Sequence, residues 1–248
     1  MLTFLHVACG TIALVVAPAA ILARKGGVWH RRWGIGFLIA MAVVLFTAGF
    51  LWQSHGHLFL FPLAAVSAYL LFNGRRVIVR RRRLRPDEIE DRIDVVTAAA
   101  ATVAGAAVLY LGVAAPNALL LTLRPALIGI GTIAIAFALN DVLGFTVRRT
   151  KTGWLLSHFS AMIAAYVSAV TAFVVINAHG VPMILRWLVP SAIGAALIVT
   201  YTLRRVRVFE STPEHVAGIP SAALSSLVRR WGHAAGAARA GLAGRPDP

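Results

Sequence analysis

A chain of 248 residues that is 59% hydrophobic and 13% charged, with a mean hydropathy of +0.79, cannot cover its apolar surface as a water-soluble domain. Its formal charge of +15 does not point to nucleic acid, because Lys and Arg fall almost entirely between apolar runs, where they set topology and attract anionic lipid. The single cysteine, Cys9, excludes a disulfide framework and a cysteine-based zinc motif.

Near-uncharged runs of about 20 residues predict helices that cross a bilayer. In chain order these are Leu2–Ala23, Gly34–Gln53, Leu58–Asn73, Ile93–Ala115, Pro125–Val147, Trp154–Asn177 and Leu185–Leu203. The predicted fold class is therefore all-α, a seven-helix transmembrane bundle. The first run has no basic segment before it and no small-residue cleavage site after it, and it exits into Arg24-Lys25. It reads as a retained helix rather than a signal peptide. Between the first two runs lies a short basic hairpin, Lys25 to Gly34, with His30 flanked by Trp29 and Trp33.

Alternating the connections between the two faces puts every Lys and Arg on one face except Arg124 and Arg186. Basic residues stay in the cytoplasm, so the N-terminus is expected outside and the C-terminus inside, in the bacterial cytoplasmic (inner) membrane. The outer face has no carboxylate, so a calcium or magnesium site is not expected there. The longest inner connection, Arg75 to Arg92, holds Arg80-Arg81-Arg82-Arg83, which reads as facing lipid headgroups. It also holds Pro86-Asp87-Glu88, which reads as a helix start.

Residues 1–203 form the expected transmembrane domain and residues 204–248 a cytoplasmic tail. Its prolines and glycines predict partial disorder. Leu224, Leu227, Val228 and Trp231 fall at helical spacing and predict an interfacial helix near 221–235 on the inner leaflet. The expected partner is the bilayer, with anionic lipids at the inner leaflet. Self-association stays open.

Gly10-Thr11-Ile12-Ala13-Leu14 is echoed by Gly131-Thr132-Ile133-Ala134-Ile135. Each run exits into a basic hairpin followed by a histidine, His30 in one case and His158 in the other. This predicts a parallel three-plus-three repeat of spans 1–3 and 5–7.

Polar side chains inside spans are expensive, so each needs a reason. His6 shares a helical face with Gly10, Ala13 and Ala17 and so points into the bundle. It reads as a histidine bonded to a neighbouring helix, or as one of a group with His55, His57 and His179 that could take copper or zinc or ligate haem. His158 is followed at i+4 by Met162, and bis-imidazole haem ligation would need His30 and His158 to converge, with arginines near the propionates. Asp141, with Asn140 beside it and Tyr69 in span 3, is a candidate for a proton relay or a structural polar pair. Arg148, Arg149 or a histidine are the expected partners of Asp141.

The features Leu5-His6-Val7 with Gly10, Lys25-Gly26, His30-Arg31-x-x-Gly34, Met41, Tyr69-Leu70 and Gly74-Arg75 resemble an uncharacterised family of predicted bacterial multi-pass membrane proteins, classed as a domain of unknown function. A second block, Trp154-Leu155, His158, Met162 and Thr171-Ala172-Phe173 ahead of Asn177, is similar to it too. The resemblance covers roughly residues 1–203 and implies a membrane bundle without implying an activity.

The leading functional expectation is a membrane redox protein with His-ligated haem b, with His6, His30, His158 and Met162 as candidate ligands and His55, His57 and His179 as candidate metal ligands. A small-solute or proton-coupled transporter using Asp141 and His158, and a non-catalytic assembly or regulatory protein, are the alternatives. No catalytic motif is present: no Cys-x-x-Cys-His, Gly-rich phosphate loop, His-Glu-x-x-His or Gly-x-Ser-x-Gly.

Overall fold

In lipid a backbone must satisfy its own hydrogen bonds, and a chain of apolar runs does so by forming helices. The computed structural model describes residues 1–55, 60–83, 92–115, 117–146 and 153–210. Seven helices are found there: α1 (Leu2–Leu22), α2 (Val28–His55), α3 (Leu60–Arg83), α4 (Arg92–Ala114), α5 (Ala118–Thr146), α6 (Gly153–Asn177) and α7 (Met183–Glu210). One compact unit is Met1–Val199; of the second, Thr200–Pro248, the described residues are the end of α7. The expected helix start at Pro86 and the interfacial helix near 221–235 lie outside the described residues.

Several helices outrun the apolar stretches that announce them. α2 starts at Val28, so His30 and Arg31 lie in its first turn, and α3 continues through Arg75 and Arg76 to Arg83. Arginine is a good helix former, so the hydrogen-bonded helix passes the point where hydrophobicity ends. α5 begins well ahead of Pro125, which sits inside it; Asn117 Oδ1 accepts the Leu120 N–H at 2.9 Å and caps that start. The α1–α2 turn closes on Gly26, whose φ of +76° favours glycine, and Gly27 N–H donates to Arg24 O at 3.0 Å.

Among the described residues, six helices are long and apolar enough to cross a membrane: Leu2–Leu22, Val28–Leu51, Arg92–Ala114, Leu120–Val142, Gly153–Asn177 and Met183–Arg204. The protein is thus a multi-pass membrane protein by length and composition. α3 is the exception, because arginines fill its second half. It is nonetheless central, packing against α2, α4, α5 and α6.

The most intimate pairings are α1 with α2, α4 with α5, and α3 with α6. α5 thus takes α4 as its close partner, whereas the three-plus-three correspondence would have it pair with α6 as α1 does with α2. Small residues set the α4–α5 distance. A Cβ added at Gly131 would lie 2.6 Å from the Leu109 backbone nitrogen, and one at Gly105 2.9 Å from Ala134 Cβ. α7 meets α6 where Gly194 faces Val167. One core cluster joins Ala13, Ala17, Phe37, Met41, Leu70 and Ala165; a second joins Leu63, Ala126, Ile130, Val175 and Trp187. Large apolar side chains such as Ile39, Val103 and Ile193 remain exposed, as helices wrapped by lipid tails require.

Candidate functional site

Four polar side chains of α3, Ser67, Tyr69, Asn73 and Arg76, each find a partner on another helix. Ser67 Oγ lies 2.5 Å from Ser168 Oγ of α6; one hydroxyl donates to the other, and the accepting one donates to a carbonyl of its own helix, Leu63 O or Ala165 O. One α-helical turn separates Tyr69 from Asn73, which puts both on one face. The Tyr69 hydroxyl and the Asn73 amide both donate to Asp141 Oδ2 on α5, and Asp141 is only 2% exposed. Arg76 pairs with the buried Asp94 of α4 at 2.9 Å. Such pairing is what lets a helix with this many polar groups sit inside an apolar bundle.

The next link in this series reaches a histidine. His158 of α6 places Nδ1 2.8 Å from Gly74 O of α3. His30 of α2 places Nδ1 2.8 Å from Ala20 O of α1. A carbonyl only accepts, so in both rings Nδ1 carries a proton and donates, which in a neutral imidazole leaves the lone pair on Nε2. The two ring centroids are 6.5 Å apart with planes at 81°. The end of α1, the start of α2, the middle of α3 and the second turn of α6 thus meet at two imidazoles, each hydrogen-bonded through Nδ1 to backbone.

Gly74 allows this approach. A Cβ there would fall 2.4 Å from Met162 Cε and 3.1 Å from Ala161 Cβ. Met162 therefore covers Gly74 one turn from His158. Two turns deeper, Phe37 of α2 and Tyr166 of α6 repeat the edge-to-face contact, with centroids 6.4 Å apart at 74°. Lys25 and Arg75 are near enough to act on His158 through space. The Lys25 ammonium donates to Ile21 O at the end of α1, and partial desolvation there pulls its pKa below the ordinary lysine value.

Scans against protein-family models, curated proteins and solved structures find no match.

The remaining candidates are dispersed. His6 Nδ1 lies 2.8 Å from Thr47 Oγ1, which is fully buried and donates its one proton to the Val43 carbonyl at 2.7 Å. His6 must then be the donor, and it ties α1 to α2. His179 is exposed in the α6–α7 turn. Its carbonyl accepts from Arg186 at 2.7 Å, and the same guanidinium also reaches Val181 O at 2.6 Å and Val175 O at 3.2 Å. His57 lies outside the described residues; His55 is the last residue of α2, with its side chain outside them. Asn140 is exposed and stands apart from its buried neighbour Asp141. The donors found on Asp141 are Tyr69 and Asn73; Arg148 and Arg149, expected for that role, lie outside the described residues. Among the described residues no three His, Cys, Asp or Glu side chains gather as a metal-binding group.

Thr47, Asn73 and Gly74 carry functions that side-chain chemistry alone does not announce. Asn73 is marked only by its i+4 spacing from Tyr69, and Gly74 acts through its carbonyl and its missing Cβ.

Proposed function

We propose that the protein is a redox protein of the bacterial inner membrane in which His30 and His158 ligate one haem b. The observation that carries this reading is the pair itself: two imidazoles from different helices, 6.5 Å between centroids, each held through Nδ1–H with Nε2 left as a ligand. His30 and His158 would hold the group through Nε2, and the group would supply one-electron redox chemistry. Lys25 and Arg75 supply positive charge nearby for carboxylate substituents such as haem propionates. In this role the chain is a one-electron carrier, and the residues' contribution is orientation of the ligands and a low-dielectric surround.

The same reading takes α3 as a seventh span. Its 24 residues are about 36 Å long, enough to cross a hydrocarbon core. Its pairings with Ser168, Asp141 and Asp94 supply the compensation that hydropathy does not register. The end bearing His30, Arg75 and Arg76 would face the cytoplasm by the charge rule, which puts the N-terminus outside. Membership of the uncharacterised multi-pass family fits the His30-Arg31-x-x-Gly34 and His158–Phe173 blocks. The transport alternative rests on Asp141, whose two donors from α3 give it a packing task, so the haem reading reaches further.

The test is an absorption spectrum of full-length protein purified after expression with ample haem. A Soret band is expected, lost in both His30→Ala and His158→Ala and kept in His6→Ala. A protein that is folded but colourless overturns the reading.

A further inference from the structure

Arg24, Arg31 and Arg32 stand exposed around the α1–α2 turn, and the sequence contains no acidic residue before Asp87. Among the described residues no carboxylate pairs with these three guanidiniums. Beside them opens a cleft of about 610 Å³ lined by Ala23, Arg24, Gly27, Val28 and Trp29, with almost entirely apolar walls. Trp29 is 61% exposed and forms one side; Trp33 stacks on it at 6.2 Å, and the Arg32 guanidinium lies over its ring at 5.5 Å. Val28 in its wall and Leu22, next in the chain to the lining Ala23, are exposed at 53% and 86%. An apolar cleft rimmed by cations without a carboxylate partner among the described residues and by an amphipathic aromatic fits one kind of occupant. That occupant carries a negative headgroup on an apolar body.

We propose that the α1–α2 turn is a binding site for a single anionic phospholipid, with Arg24 and Arg32 on its phosphate, Trp29 against its glycerol region and the acyl chains along Val28 and Leu22. The tryptophan and the guanidinium over it act as one unit: the ring faces the lipid at the depth where headgroup meets chain, and the cation above it meets the phosphate. The tight turn at Gly26 and Gly27 keeps the rims of the cleft close in sequence, so the site forms with the hairpin. It needs neither haem nor an activity, and it stands if the redox reading fails.

The experiment uses full-length protein in phosphatidylcholine nanodiscs containing a minor fraction of lipid with brominated acyl chains, either phosphatidylglycerol or phosphatidylcholine, and reads tryptophan quenching. The Trp29→Phe variant isolates the signal of Trp29. Brominated phosphatidylglycerol should quench Trp29 more strongly than brominated phosphatidylcholine at equal mole fraction. The enrichment should fall roughly fivefold for each arginine removed in Arg24→Gln and Arg32→Gln. It should hold in Arg124→Gln, and each variant is compared with its own unbrominated control. Equal quenching by the two lipids, or a preference that survives the double variant with helicity intact, overturns the proposal. Relief of quenching by inorganic phosphate at constant ionic strength would assign the anion site to a soluble phosphate and overturn it as well.

Discussion

The α4–α5 and α3–α6 pairs join long helices in the same bundle by different physics. Between α4 and α5 the seam is made of absences: Gly105, Gly112 and Gly131 bring the two backbones so close that an added Cβ would meet main chain or Cβ atoms. Between α3 and α6 the seam is made of polar links, Ser67 with Ser168 and Gly74 O with His158, with Met162 folded over the glycine. Lipid tails are as apolar as leucine, so helices in a bilayer gain nothing from hydrophobic exclusion and must associate through close packing or hydrogen bonds. Close packing tolerates many sequences provided they stay small. Polar links specify which residue faces which, and His158 lies on the seam that has them.

The largest expected effect strikes the packed seam. Gly131→Leu should prevent α4 and α5 from closing, and Gly131→Ala should cost about 1–3 kcal/mol of stability, read as a lower melting temperature in detergent. No second-site change of a side chain should rescue it, because the obstruction is the Leu109 backbone. Asp141→Ala comes next, at about 2–3 kcal/mol, since it leaves the Tyr69 hydroxyl and Asn73 amide without this acceptor; Tyr69→Phe should cost about 1 kcal/mol. Gly74→Ala sharpens the contrast. Its obstruction is mainly the end of the Met162 side chain, so the double variant with Met162→Ala should recover most of the lost stability. Recovery of Gly131→Ala by a similar trimming, or failure to recover Gly74→Ala, would erase the distinction between the seams. Smallest is Ser168→Ala, at about 0.6 kcal/mol, the average for hydrogen bonds between membrane helices.

The helices were legible because a bilayer imposes one simple rule on length and hydrophobicity. Six of the expected spans reappear as long apolar helices, with ends displaced wherever arginine prolongs the hydrogen-bonded turns, as at Val28. α3 was the difficult element. Ser67, Tyr69, Asn73 and Arg76 weaken its hydropathy, and their partners come from α4, α5 and α6, a matter of docking that no local pattern encodes. The two histidines could be singled out by depth and by their similar flanks. What holds them could not be, because Ala20 O and Gly74 O are backbone acceptors and every residue has one. Asp141 was visible as an intramembrane acid, but its donors on α3 were not, since nothing in α5 says which helix it faces.

Arg186 shows how a charge beside a helix end can be answered within the chain. The carboxyl end of α6 leaves carbonyls without intrahelical donors and a partial negative charge of about half an elementary unit. The Arg186 guanidinium donates to one of these oxygens, Val175 O, and to the carbonyls of His179 and Val181 in the α6–α7 turn. Its cation is thereby matched by main-chain dipoles before any lipid or counter-ion is needed.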